Sequence, residues 1–174
     1  MLAIRTVPLG VFQTNCVILS CPQDGDCWVV DPGMSPEPAI EYVRDDGLEP
    51  NRIMLTHGHC DHISGIAQFK SAFPDVLICC PEKDAEMLTD PNGNLSAPFG
   101  MPMISPPADE MLHPGQELTL GQTVWTVIDT SGHTPGGVSF YCAREKLVIV
   151  GDALFAGSVG RTDIPGASHQ QLID

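Results

Sequence analysis

Residues 56–65 read THGHCDHISG, and within them His57, His59, Asp61 and His62 fall in six consecutive positions. The chain has six histidines in all, so half of them are spent on one short stretch. A solvated loop has no need of them, and an apolar core cannot bury them unpaired. His57 and His59 are two apart, so on an extended segment their rings point to the same side. Asp61 and His62 follow where the chain turns into a predicted helix. Imidazole and carboxylate are the ligands expected for zinc, iron or manganese, and Gly58 permits a tight path between the two rings. Four ligands in six residues cannot readily converge on one ion. Two adjacent ions, about 3.5–4 Å apart, are the natural reading.

Further ligands should arrive from other strand ends. TSGHTPGG, residues 130–137, places His133 in a glycine-rich turn directly after the apolar run TVWTVID. IVGDALF, residues 149–155, places Asp152 directly after KLVIV. Taken alone, His133 reads as a surface turn residue and Asp152 as a helix N-cap. Beside the first cluster, both read as metal ligands at the C-terminal ends of strands, where sites on layered α/β folds collect.

The remaining sequence bounds the problem. With 174 residues the chain reads as one domain, 1–174, able to bury a proper core. Its formal net charge of −14, with eight basic residues, argues against nucleic acid or an anionic membrane as partner, leaving a small-molecule substrate. Nothing in the sequence speaks to oligomeric state. No apolar run reaches the roughly 18 residues of a spanning helix, and no basic-then-apolar leader opens the chain. The seven cysteines include no C-x-x-C pair. They read as reduced thiols of a cytoplasmic protein.

Apolar runs predict strands at LAIRTV, NCVILS, CWVVD, RIMLT, VLICC, ELTLG, TVWTVIDT, VSFYC and KLVIV. Helices are expected over PEPAIEYVRDDG, ending at Gly47, and over DHISGIAQFKSAF, with Ile63, Ile66, Ala67 and Phe73 on its buried side. A short helix is expected at PEKDAEML. ASHQQLID reads as the first turns of a helix without a cap. Residues 89–114 are proline-rich and aperiodic, and their apolar members Phe99, Met101, Met103 and Ile104 suggest either a rim packed over something or an irregular surface excursion.

The whole pattern resembles the metallo-β-lactamase superfamily. THGHCDHISG matches its T-H-x-H-x-D-H signature. GHTPGG and GDALFAGSVGRTDIPG resemble the next two motifs of its glyoxalase II-like branch, as do VPLGVFQTNCVILS and VVDPG. The resemblance implies a four-layer αββα sandwich, two mixed β-sheets flanked by helices, with the last elements missing and apolar surface exposed on the neighbouring sheet. It implies that His57, His59 and His133 bind a first divalent metal, zinc before iron or manganese. Asp61 and His62 would bind a second, and Asp152 would bridge them. The histidine that the superfamily supplies to the second metal from near its C-terminus has no counterpart after SHQQLID. This predicts a shortened chain or a weak second site, and His169 and His113 are not substitutes.

The activity implied is hydrolysis of a thioester of the hydroxyacylglutathione type, by a hydroxide held between the ions, with Asp61 orienting the water or accepting its proton. Two alternatives stand beside it: a mononuclear-iron sulfur dioxygenase using His57, His133 and Asp152, and a metal-binding protein without turnover. Cys60 is expected to point away from the ions and pack against the sheet. Arg161 and Asp163 are expected to form an ion pair that holds their loop.

Overall fold

The computed structural model describes residues 2–21, 23 and 25–174. Twelve strands appear among these residues, and ten of them form two large sheets. In the first sheet the strands run in sequence order: β1 (Ala3–Leu9), β2 (Thr14–Ser20), β3 (Asp26–Val30), β4 (Glu49–Met54), β5 (Leu77–Pro81) and β6 (Glu110–Leu112). β1, β2 and β3 pair antiparallel, whereas β3 to β6 run parallel. The crossovers demanded by parallel neighbours carry the helices α1 (Glu37–Asp45), α2 (Cys60–Ile63) and α3 (Ile66–Ala72), and a 3-10 helix at Glu82–Thr89. The second sheet holds β7 (Glu117–Leu120), β8 (Thr123–Asp129), β9 (Val138–Cys142) and β10 (Leu147–Ile149), and every pairing in it is antiparallel. The expectation of two mixed sheets therefore holds for the first alone.

Burial explains the composition of each strand. β3 reads DCWVV and is buried at four consecutive positions, because both faces of the first sheet are covered. One apolar layer joins Val29, Ile53 and Ile78 to Ala39, Ile40 and Val43 of α1 and to Ile66 and Phe69 of α3. The other lies between the sheets, where Trp28 of β3 and Trp125 of β8 meet with ring centroids 6.2 Å apart. Truncating either tryptophan to alanine would cost about 3–5 kcal/mol. On the far face of the second sheet, Val124, Ile128, Tyr141 and Val148 stand exposed. The four-layer fold is thus recognisable, with helices over one sheet and an open apolar face on the other.

Several local expectations need correction. The single helix over residues 61–73 is two, because Gly65 donates its N–H to Pro32 O at 2.8 Å and lies so close to Gly33 O that a Cβ would meet it at 2.5 Å. That contact breaks the helix after Ile63. Ala67 is exposed, and Phe69 fills the core in its place. The final helix, α4 (His169–Ile173), does have a cap, since Ser168 Oγ accepts from Gln171 N at 3.3 Å. The two-residue hairpin of β11 (Leu154–Phe155) and β12 (Ser158–Val159) carried no periodic signal.

Candidate metal centre

Strand ends position every candidate ligand. Asp31 follows β3, His57 lies three residues beyond β4, His133 follows β8 and Asp152 follows β10. The two sheets thus present four chain segments at a common edge. Gly58 is required there by space, since a Cβ would meet Met87 Cβ at 2.8 Å and Asp84 O at 3.1 Å.

The rings of His57, His59, His62 and His133 are all buried. The His57 centroid lies 4.8 Å from that of His59, 4.1 Å from His62 and 5.0 Å from His133. Donor atoms of His57, His59 and His133 fall within 4.8 Å of one another, and so do those of His57, His62 and Asp152. Asp152 spans the two groups, with Oδ1 3.2 Å from His62 Nε2 and Oδ2 3.5 Å from His133 Nε2. Asp61 stands beside them, its Oδ2 3.5 Å from His62 Nε2 and accepting from Thr14 Oγ1 at 3.1 Å, but it belongs to neither set. The structure brings the six sequence-predicted residues together at this edge. His113 and His169 lie apart from them, both exposed, His113 near Glu82 and His169 near Thr162.

Hydrogen bonds decide which nitrogens are free. Thr56 donates its N–H to Asp31 Oδ1 at 2.8 Å and its hydroxyl to Asp31 Oδ2 at 2.7 Å. With its one proton committed, that hydroxyl can only accept, so His57 Nδ1, 3.1 Å away, carries the proton. His57 Nε2 is then a bare lone pair, and it is buried without a protein partner. Burying an acceptor unpaired costs about 1–3 kcal/mol, which a cation at that point would remove. His133 is oriented likewise, Nδ1 donating to Arg161 O at 2.8 Å. Its Nε2 lies 3.0 Å from His59 Nδ1. Without a cation one of these rings must donate to the other; with one, both lone pairs can face it. The donor set therefore fits a divalent metal.

Electrostatics agree. Burial, reinforced by the neighbouring rings of His62, His59 and His133, pushes His57 well below the usual imidazole range. Burial and then His133 bring His59 down to about 3. Both are thus neutral, the ligating form. Burial opposes charge on His62 as well, but Asp31, with its Oδ2 3.0 Å from Nδ1, and Asp152 outweigh it and hold this ring above the usual range. Burial likewise opposes charge on Asp152, yet its contact with His62 keeps the carboxyl below the usual range.

Cys60 departs from expectation. It is buried, but it joins neither apolar layer and instead borders a cavity beside His59 and Asp61. Burial and the Asp61 charge push its thiol up to about 11, so it offers no thiolate. Arg161 pairs with Asp163 as anticipated, through Nε–Oδ1 at 2.8 Å and Nη2–Oδ2 at 2.9 Å. Sequence reasoning missed the supporting residues Asp31, Thr56, Thr14 and Asp84. Asp31 could have been noticed as a polar residue ending an apolar strand; Asp84 carried no signal.

A family model described as the metallo-beta-lactamase superfamily matches residues 9–174. The chain belongs to the metallo-β-lactamase superfamily. Among its relatives in this superfamily, the probable metallo-hydrolase YqgX of Bacillus subtilis is 34% identical over 170 residues, 97% of this chain and 79% of that protein. The hydroxyacylglutathione hydrolase GloC of Haemophilus influenzae is 31% identical over 172 residues, 98% of this chain and 80% of that protein. Among solved structures, the BLEG-1 B3 metallo-beta-lactamase superposes with a TM-score of 0.91 at 35% identity, covering 98% of this chain and 82% of that one. TTHA1623, crystallised in a di-iron-bound form, gives 0.83 at 32% identity, with 97% and 82% covered. The chain is accordingly a metallo-hydrolase of that superfamily, with a metal-binding fold.

Proposed function

We propose that this protein hydrolyses thioesters of the hydroxyacylglutathione class, using two divalent metal ions, with zinc the first candidate and iron or manganese the others. The observation that carries this reading is the buried, partnerless Nε2 of His57, facing His59, His133 and the His62–Asp152 pair. Its relatives include a protein named as a hydroxyacylglutathione hydrolase and a structure named as di-iron-bound, which support the reaction class and the metal count. The ions would supply Lewis acidity and a water whose pKa falls to about 7.

The rest falls to the chain's own side chains. His57, His59 and His133 would hold one ion, Asp61 and His62 the other, and Asp152 would offer one oxygen to each. Asp61, fixed on one side by the Thr14 hydroxyl, is the group placed to orient the water and accept its proton. The buried Asp31 accepts from Thr56, which orients His57, and stands 3.0 Å from His62 Nδ1, and so helps to hold two candidate ligands in place. No disulfide joins the seven cysteines among the described residues, which favours the cytoplasm, and the substrate is a small molecule.

The test is metal analysis of the purified protein together with turnover of a 2-hydroxyacyl glutathione thioester. About two ions per chain with thioester cleavage supports the reading. One iron per chain with oxygen uptake on a persulfide, and no thioester cleavage, would replace it with sulfur dioxygenation. Metal-loaded protein inert to both would leave a metal-binding role.

A further inference from the structure

Beside the ligand cluster lies a space of about 180 Å3, and its walls differ sharply from its floor. The floor is His59, Asp61, His133 and Asp152. The walls are Phe12, Leu95, Phe99 and Ile164, together with Cys60. Phe12 and Phe99 come from opposite sides of it and meet with ring centroids 5.8 Å apart at 51°, although each is nearly half exposed. Two half-exposed phenylalanines over an apolar space are a surface that gains by being covered.

The segment bearing Leu95 and Phe99 is held rather than loose. Asn94, fully buried, donates through Nδ2 to Met87 O at 3.0 Å and Met103 O at 3.2 Å, and its own carbonyl accepts from Cys60 N at 2.9 Å. Leu95 itself sits at φ +67°, a left-handed conformation that a bulky side chain adopts only when its surroundings impose it. The rim is thus bolted to the helix that carries Asp61 and His62.

Among the described residues Arg161 is the one basic side chain bordering the space, and it is committed to Asp163 by two hydrogen bonds. A carboxylate at the far end of an acyl chain would meet the apolar wall rather than an uncommitted basic side chain. At about 30 Å3 for each water-sized group, the space takes about six non-hydrogen atoms.

We propose that this cavity is the acyl-group subsite and that it selects thioesters of short apolar acids, up to butanoyl, over longer, charged or strongly polar ones. This rests on the thioesterase reading above, in which water adds to the acyl carbon, the C–S bond breaks, and the products are a carboxylic acid and a thiol. The carbonyl sits over the ligand floor and the acyl chain lies against the wall that the Phe12–Phe99 pair forms.

The experiment uses the metal-loaded protein and a series of N-acetylcysteamine thioesters: acetyl, propanoyl, butanoyl, hexanoyl, benzoyl and succinyl. Expected is a rise in kcat/KM of about fourfold per methylene to butanoyl, a fall by hexanoyl, and succinyl at least tenfold below butanoyl. Phe99→Ala should reduce the preference for butanoyl over acetyl at least fivefold. Calorimetric binding of acetate, propanoate and butanoate provides a readout that needs no turnover, and affinity should rise along that series. Equal turnover of all six esters, or a preference for succinyl, overturns the subsite and leaves the hydrolase intact. No cleavage of any ester defeats the hydrolase reading instead; the calorimetric ranking then decides the cavity alone, a flat ranking overturning it.

Discussion

Asp84 ties together the two loops that carry three of the histidines. It is completely buried at the first turn of the 3-10 helix. Its Oδ2 accepts from Gly58 N at 3.1 Å, between His57 and His59, and from Thr134 Oγ1 at 2.6 Å, next to His133. Its Oδ1 accepts from Gly136 N at 2.7 Å. Asp84→Ala would strand three buried donors, each costing about 1–3 kcal/mol, while relieving the burial that pushes this carboxyl upward. A net loss of about 3–5 kcal/mol follows, a large part of a typical 5–15 kcal/mol stability. Asp84→Asn is the sharper probe. Either way round, its amide N–H2 must face a backbone N–H, so about 1.5–3 kcal/mol is lost with almost no change of shape. Both variants should also bind metal about 10–100-fold more weakly, because the ligand loops lose their common anchor. Urea unfolding of the metal-free protein gives the first quantity, and competition with a chromogenic chelator gives the second. Asp84→Ala costing under about 1 kcal/mol, with metal affinity unchanged, would refute the reasoning.

Three further outcomes can be checked. Thr56→Val removes the hydroxyl that links Asp31 to His57 Nδ1, and should weaken metal binding about 10–100-fold while costing about 1–3 kcal/mol, read by the same two assays. In the metal-free protein, His59 has a folded pKa of about 3 against an ordinary 6.5, so the folded state binds fewer protons than the unfolded chain. Its contribution is therefore fully present above pH 6.5 and lost as pH falls toward 3, and urea midpoints measured across that window should decline with acidity. A shallower decline in His59→Gln would confirm its share; a flat wild-type profile would sink it. All seven cysteines are buried and none is in a disulfide, so iodoacetamide at pH 8 should leave the native protein unmodified and label seven sites in guanidinium, by intact mass. Rapid native labelling of Cys60 would show that the space beside it is open to solvent.

What could be read in the sequence, and what could not, divides along the range of the interactions. His57, His59, Asp61 and His62 are neighbours in the chain, and two-residue spacing on an extended segment dictates that the first two rings share a side. His133 and Asp152 were legible because each is a polar residue ending an apolar run, the position from which a strand hands its side chain to a site. The break between α2 and α3 was not legible, since it comes from Gly65 meeting Pro32 and Gly33 across the fold rather than from any helix-stopping residue nearby. Asp84 was equally hidden: in PEKD it looks like an ordinary acidic residue in a helix's first turn, and only the tertiary structure turns it inward onto Gly58 and Gly136. The same holds for Asn94 and Leu95, whose loop has no periodicity because its order comes from side-chain amide bonds to Met87 and Met103 carbonyls. The candidate ligands lie at strand ends and so leave a pattern, whereas the residues that brace them answer to contacts made only after the sheets have packed. The chemistry of a site like this one is therefore visible before its precision is, and substitutions at the bracing residues are where that precision can be measured.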